Sequence, residues 1–364
     1  PRQYPEFMKI YTDNDGDIPL TVRKGFAAEV FNLTSTYEKA ISNYFTNEET
    51  ILSDEIFQVN TVKVQEMRYG ENPHQKAAFY LPEGHAVPWQ QYQGKALSYN
   101  NYADLESAIN ITQEFTQPAC VIIKHANPCG FGAADNGLEA WYRAVSTDPV
   151  SYFGGIVGFN TTVTAELARN LVSPFLECVV AAGYESDALE ILRKKKNLRI
   201  IQLNENYHPE KQIIKSVAGG FLIQERDTDQ NEIESLNIVT VQSPTEAEIN
   251  ALKLGWKLVR FVKSNAIVFA NETQLLGVGA GQMSRVDSVK IAILKSSESG
   301  LNLQGSILAS DAFFPFPDSI ELAAEAGVSA IIQPGGSIKD KDVIKRADEL
   351  GLSMVLTGVR HFFH

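Results

Sequence analysis

The 364-residue chain predicts an α/β fold, on three observations. Short, strongly apolar runs such as Cys120-Val121-Ile122-Ile123 have the length and composition of buried strands. Other stretches carry apolar residues at helical spacing between recognisable start and stop residues. From about residue 62 the two kinds alternate, a pattern that layers helices over a sheet.

Taken in order, residues 1–47 read as a segment in their own right, with a helix expected over Thr21 to Phe45 and a polar linker from Thr46 to Asp54. Cys120 to Ile123 is the first clear strand, with Lys124 and His125 at its end. Ser243 as N-cap, Pro244 at the first helical position and Glu246 as the reciprocal acid predict a helix start. Ile249, Leu252, Trp256, Val259 and Val262 then recur as one buried face, and the helix ends near Lys263-Ser264-Asn265. Ala266 to Ala270 follows as a strand. Further strands are expected over Ser306–Ser310, Val328–Gln333 and Leu352–Leu356. A helix opening with Asp318 and Glu321 is closed by Gly327. Pro334 to Ser337 is a tight loop, and a helix over Asp340–Leu350 is capped by Gly351. The sequence shows no internal repeat and no low-complexity tract.

Composition narrows the function. The net charge of -12 argues against a general nucleic-acid binder, which needs a basic surface to neutralise phosphates. No apolar run approaches the roughly 18 residues that suggest a membrane span. Three cysteines (Cys120, Cys129, Cys178) with no C-x-x-C spacing disfavour a disulfide framework and a zinc ribbon, so a cytoplasmic protein is expected. The start at Pro1 resembles neither a signal peptide nor a transit peptide, and with no initiator Met the chain is expected to be a fragment or a processed form.

Four clusters carry candidate chemistry. Lys124-His125 stands where open α/β sheets place ligands, beyond a strand's carboxyl end. An ammonium beside an imidazole favours the uncharged ring, which can accept a proton. The bland alternative is an exposed strand end with two incidental polar side chains. The zinc-deaminase pattern fails here on two counts. Asn127 stands where the catalytic Glu belongs, and Gly132 where the second cysteine after Pro128-Cys129 belongs. Cys129 is better read as a small buried residue than as a nucleophile. Gly277-Val278-Gly279-Ala280-Gly281, ending in Ser284-Arg285, is either an anion-binding loop or a structural turn; it is neither a dinucleotide fingerprint nor a P-loop. Ser310 to Asp318, with Phe313, Phe314 and Phe316 interrupted by Pro315 and Pro317, holds a stiff aromatic loop suited to core packing or to stacking on a planar ring. Arg360-His361-Phe362-Phe363-His364 is an aromatic terminus expected to be tied down.

These segments together resemble the AICAR formyltransferase / IMP cyclohydrolase family. The matching blocks are Arg68 to Gln75, Gln93 to Asn101, Lys124 to Gly130, Phe153 to Gly155, Phe261 to Ala266, Gly277 to Arg285, Ser310 to Asp318, Gln333 to Ser337 and Arg360 to His364. The resemblance implies two zinc-free, cytidine-deaminase-like α/β/α units in a homodimer. Residues 1–61 would be a remnant of the cyclohydrolase domain plus linker, 62–240 the first unit, and 241–364 a connecting helix plus the second. It implies transfer of a formyl group from 10-formyltetrahydrofolate to the amine of aminoimidazole carboxamide ribotide (AICAR). No catalytic metal and no membrane partner are implied, and a structural alkali ion is left open. His125 would be the general base, Lys124 the transition-state stabiliser, and Asn265 a further catalytic group. Arg68, Tyr69, Gly154, Glu177, Asn265, Arg285, Phe313 and Arg360 would hold the ribotide, and Val286, Asp318, Ser337 and Ile338 would lie against the folate. Glu177 stands where the family often has Asp, and Pro317 where it commonly has Arg. Gly183-Tyr184 varies by lineage. Cyclohydrolase activity on the formylated ribotide and a non-catalytic ribotide-binding module are the alternatives.

Overall fold

The computed structural model describes residues 3–46, 57, 59–228, 233 and 236–364. Two compact units are present. One comprises Pro1–Val62, Tyr80–His85 and Ile214–Gln224; the other comprises Lys63–Phe79, Ala86–Ile213 and Glu225–His364. The first contains helices α1 (Tyr4–Asp13) and α2 (Leu20–Thr46), the latter matching the helix expected over Thr21 to Phe45. Residues 47–54 of the expected linker lie outside the described residues.

In chain order there follow β1 (Thr61–Met67), β2 (Ala77–Pro82), β3 (Trp89–Gln93), α3 (Tyr99–Gln113), β4 (Ala119–Lys124), β5 (Asn127–Ala133), α4 (Gly137–Thr147) and β6 (Ile156–Val163). Next are α5 (Ala165–Leu171), β7 (Cys178–Tyr184), α6 (Ser186–Leu192), β8 (Arg199–Leu203), β9 (Gln212–Val217), β10 (Gly220–Glu225) and β11 (Asn237–Ile238). The chain ends with α7 (Glu246–Val259), β12 (Ile267–Ala270), β13 (Leu275–Gly279), α8 (Arg285–Glu298), β14 (Ile307–Ser310), α9 (Asp318–Glu325), β15 (Ala330–Gln333), α10 (Asp340–Glu349) and β16 (Ser353–Leu356).

The larger unit holds two six-stranded sheets, ordered β3-β8-β7-β6-β4-β5 and β11-β16-β15-β14-β12-β13. Element for element these are the same topology. Each has three parallel strands, an antiparallel edge strand beyond them, and an antiparallel hairpin at the opposite edge. The repeat that the sequence does not show is therefore present in the fold.

Period-two alternation along the strands divides the core. On β4, Val121 and Ile123 join a central cluster with α3, while Cys120 and Ile122 face α4 and α5. On β12, Val268 and Ala270 enter the same central cluster with α7, while Ile267 and Phe269 face α8 and α9. A single apolar layer, carrying α3 and α7, thus joins both sheets. Alternate glycines seat the helices against the edge strands. A Cβ on Gly130 would lie 2.1 Å from the Ala144 carbonyl oxygen of α4, and one on Gly279 would lie 2.0 Å from that of Ser288 in α8. Gly277 and Gly279 are accordingly strand residues with a packing role, so this part of the run is neither the loop nor the turn expected of it.

One helix start differs from expectation. The N-cap of α7 is Thr245, whose hydroxyl accepts the Glu248 N–H at 3.2 Å while the Glu248 carboxylate accepts the Thr245 N–H at 2.7 Å. Ser243 and Glu246 offer the same local pattern two residues earlier. Buried Pro244 lies before the helix, however, so the later frame is the one that forms.

Candidate functional site

Lys124 pairs opposite Asn127 across the β4–β5 hairpin, leaving His125 and Ala126 as its two-residue turn. Both have left-handed backbones, with φ of 51° and 60°. Such a turn ordinarily takes Asn-Gly or a similar pair, because Cβ crowds the carbonyl in this conformation. His125 is exposed at the tip. Around it, the Asp104 carboxylate on α3 accepts the Ala126 N–H at 2.6 Å, and the Asn127 amide donates to the His125 carbonyl at 3.1 Å. Burial pushes the Asp104 carboxyl above the usual range. The Ala126 N–H and the neighbouring Lys124 ammonium oppose that rise.

Placement at the end of β4 holds as expected, but the rule behind it needs correction. β4 runs antiparallel to β6, which is parallel to β7 and β8, so Lys124 and His125 stand at the amino ends of the parallel strands. In the second sheet the rule applies directly. Asn265 precedes β12, and β12 opposes β14, so Asn265 lies beside Ser310 and Asp311 at the carboxyl end.

The Lys124 ammonium donates to the Phe153 carbonyl at 2.6 Å. Gly154 has φ of 69°, and a Cβ there would lie 3.4 Å from that ammonium. Its N–H donates to the Phe175 carbonyl at 2.8 Å, and the Glu177 N–H donates to the Gly155 carbonyl at 3.2 Å. These bonds bring Gly154 and Glu177 to the Lys124 side of the turn. The Glu177 carboxylate is itself paired with Arg199 at 2.7 Å.

Across from the turn, the Asn127 carboxamide oxygen accepts the Lys263 N–H at 3.0 Å, which links the β4–β5 hairpin to the segment before β12. Two residues on, the Asn265 side chain is held at both ends. Its oxygen accepts from the Arg285 guanidinium at 2.9 Å, and its nitrogen donates to the Gln282 and Met283 carbonyls at 2.9 and 3.2 Å. Arg285 is only 8% exposed and is paired with fully buried Asp311, with a further bond of 2.9 Å to Ser310. Its guanidinium thus lies beneath Asn265 and fixes it. The terminus is tied down, as expected. The Ser264 N–H donates to the Phe363 carbonyl, the His361 N–H to the Asp311 carbonyl, and the His361 ring pairs with Asp227 at 2.7 Å.

The remaining expected residues are more open. Arg360 is exposed, its guanidinium 4.3 Å from the Phe362 ring centre. Of the aromatic loop, Phe314 is fully buried while Phe313 and Phe316 face outward. Val286 is in the first turn of α8, Asp318 is the first residue of α9, and Ser337 and Ile338 lie between β15 and α10, with Ile338 wholly exposed. Exposed Arg68 and half-buried Tyr69 precede a loop pinned to the start of α3, where the Asn100 amide donates to the Glu71 carbonyl at 3.3 Å. Asp104 joins the candidate site unmarked by any motif, while Asp311 and Lys263, given no role of their own within the runs Ser310 to Asp318 and Phe261 to Ala266, join it as well. Each acts through backbone or a buried partner, and no local pattern marks such contacts. Among the described residues no group of three or more His, Cys, Asp or Glu could hold a metal ion.

An imidazole on a constrained turn, a tethered ammonium and a preset carboxamide stand at adjoining strand ends of this α/β fold, groups that can move a proton and stabilise charge. Comparison with known proteins narrows this. The family model described as AICARFT/IMPCHase bienzyme matches residues 1–295. The bifunctional purine biosynthesis protein PurH of Bacillus cytotoxicus is 50% identical over 354 residues, covering 96% of this chain and 69% of that protein. Its counterpart in Desulfitobacterium hafniense strain DCB-2 is 47% identical over 377 residues, covering 100% and 72%. That of Bacillus mycoides is 48% identical over 355 residues, covering 96% and 69%. The chain belongs to the AICARFT/IMPCHase bienzyme family, whose members are enzymes of purine biosynthesis.

Proposed function

We propose that this chain transfers the formyl group of 10-formyltetrahydrofolate to the 5-amino group of AICAR. The observation that carries the reading is the exposed His125 on its left-handed turn, next to a Lys124 ammonium anchored at 2.6 Å on the Phe153 carbonyl.

The ribotide amine is a weak nucleophile, because its lone pair is drawn into the ring and the carboxamide. As its nitrogen bonds to the formyl carbon, His125 takes the amine proton. Negative charge gathers on the formyl oxygen of the tetrahedral intermediate, where the Lys124 ammonium stabilises it. The carbon–nitrogen bond to folate N10 then breaks, and the leaving nitrogen takes up a proton. The Asn265 carboxamide, locked by Arg285 and two carbonyls, is a fixed polar contact for this chemistry. Arg68, Tyr69, Gly154, Glu177, Arg285, Phe313 and Arg360 complete the ribotide side, and Val286, Asp318, Ser337 and Ile338 the folate side. Arg285 contributes through Asn265, and Glu177 through the Phe175–Glu177 segment that frames Gly154. Holding both substrates together removes several kcal/mol, in order of magnitude, of the bimolecular penalty.

The duplicated sheets fit two cytidine-deaminase-like units, taken as 62–240 and 241–364, with residues 1–61 a cyclohydrolase remnant and linker. A cytoplasmic homodimer completes the proposal. The test is His125→Ala. Formyl transfer should vanish while calorimetric AICAR affinity stays within a few-fold; undiminished turnover would remove His125 as the base. Ring closure of formyl-AICAR well above background by this chain would favour a cyclohydrolase instead.

A further inference from the structure

The His125-Ala126 turn adopts a conformation that residues with a Cβ avoid, so contacts from outside the turn must stabilise it. The carboxylate that reaches in is Asp104, accepting the Ala126 N–H at 2.6 Å. Ser107, one turn further along α3, approaches the Ala126 carbonyl at 3.5 Å. The helix behind them is capped and packed. Ser98 and Asn101 form a capping box at its start, and Leu105, Ala108 and Ile109 are buried against the sheet. We infer that Asp104 is a positioning residue for formyl transfer, fixing the turn through its oxygen so that the His125 imidazole is presented outward. This rests on the reading of His125 as the base.

Steady-state formyl transfer by the full chain tests it with Asp104→Ala, Asp104→Asn, Asp104→Glu, the double variant Asp104→Ala/Ala126→Gly, and His125→Ala, all checked for cooperative thermal melting. Asp104→Ala should lower kcat by about tenfold to a hundredfold, since a misplacement of about 1 Å can cost as much as a hundredfold. The KM for AICAR should change little. Asp104→Asn keeps the acceptor in reach and should hold kcat within about fivefold. Asp104→Glu keeps the charge but moves the oxygen, and should resemble Asp104→Ala, so it decides the matter if the alanine variant fails to fold. In the double variant the introduced glycine takes the left-handed conformation without strain, and about five- to tenfold of the loss should return.

Unchanged kcat in Asp104→Ala or Asp104→Glu would overturn the inference, as would an Asp104→Asn variant as impaired as the alanine one. Each of those results, with His125→Ala inactive, leaves the base assignment standing. An active His125→Ala removes that assignment whatever the Asp104 variants do.

Discussion

Gly154→Ala tests how closely the Lys124 ammonium is confined. The glycine has φ of 69°, and holding an L-residue in that region costs about 1–2 kcal/mol. The new Cβ would also lie 3.3 Å from Cε1 of Phe175 and 3.4 Å from Nζ of Lys124. Phe175 packs on Phe153 with ring centres 5.3 Å apart, so the ammonium is the freer of the two to move. Moving it stretches the 2.6 Å bond to the Phe153 carbonyl. A charged hydrogen bond contributes about 1.5–3 kcal/mol, and losing half of one in the transition state slows turnover about four- to thirteenfold. Gly300→Ala is the control: its φ is 71°, with nothing within 4 Å of its Cβ. Urea unfolding should show about 1–2 kcal/mol lost in both variants, while formyl transfer slows in Gly154→Ala alone. Equal turnover in the two variants would refute the argument.

Two further outcomes follow from buried groups. Asp311→Asn leaves the Arg285 guanidinium without its anion and should cost about 3–5 kcal/mol by urea unfolding; a loss below about 1 kcal/mol would contradict a structural ion pair beneath Asn265. Burial disfavours the thiolate, pushing Cys129 and Cys178 up to about 12 and Cys120 well above its ordinary value. All three should therefore resist iodoacetamide in the native protein at about pH 8 and react only after unfolding, as read by mass spectrometry. A native adduct at Cys129 would reopen its role as a nucleophile.

Much of the α/β order was legible because burial leaves period in the sequence. Cys120 to Ile123 reads as a strand buried on both faces, and the helices closed by Gly327 and Gly351 end where those residues take left-handed backbones. The α7 start was ambiguous because Ser243/Glu246 and Thr245/Glu248 satisfy the same local rule, and only packing chooses between them. The duplication was hidden because equivalent strands such as Ala119–Lys124 and Ile267–Ala270 share burial rather than residues. Its trace was the glycine spacing, Gly130/Gly132 against Gly277/Gly279. Of the site, Lys124 and His125 were visible at a strand end, whereas Asp104 was not. Its hydrogen bond to Ala126 spans 22 positions and depends on how α3 packs on the sheet.

A crystal structure with AICAR bound is the most direct measurement of the central claim. The ribotide amine should lie within about 3 Å of the His125 imidazole, the reach a general base requires. The Lys124 ammonium should stand on the same face, with Asn265 in contact with the ligand. A ribotide seated elsewhere, with the β4–β5 turn facing only solvent, would contradict it.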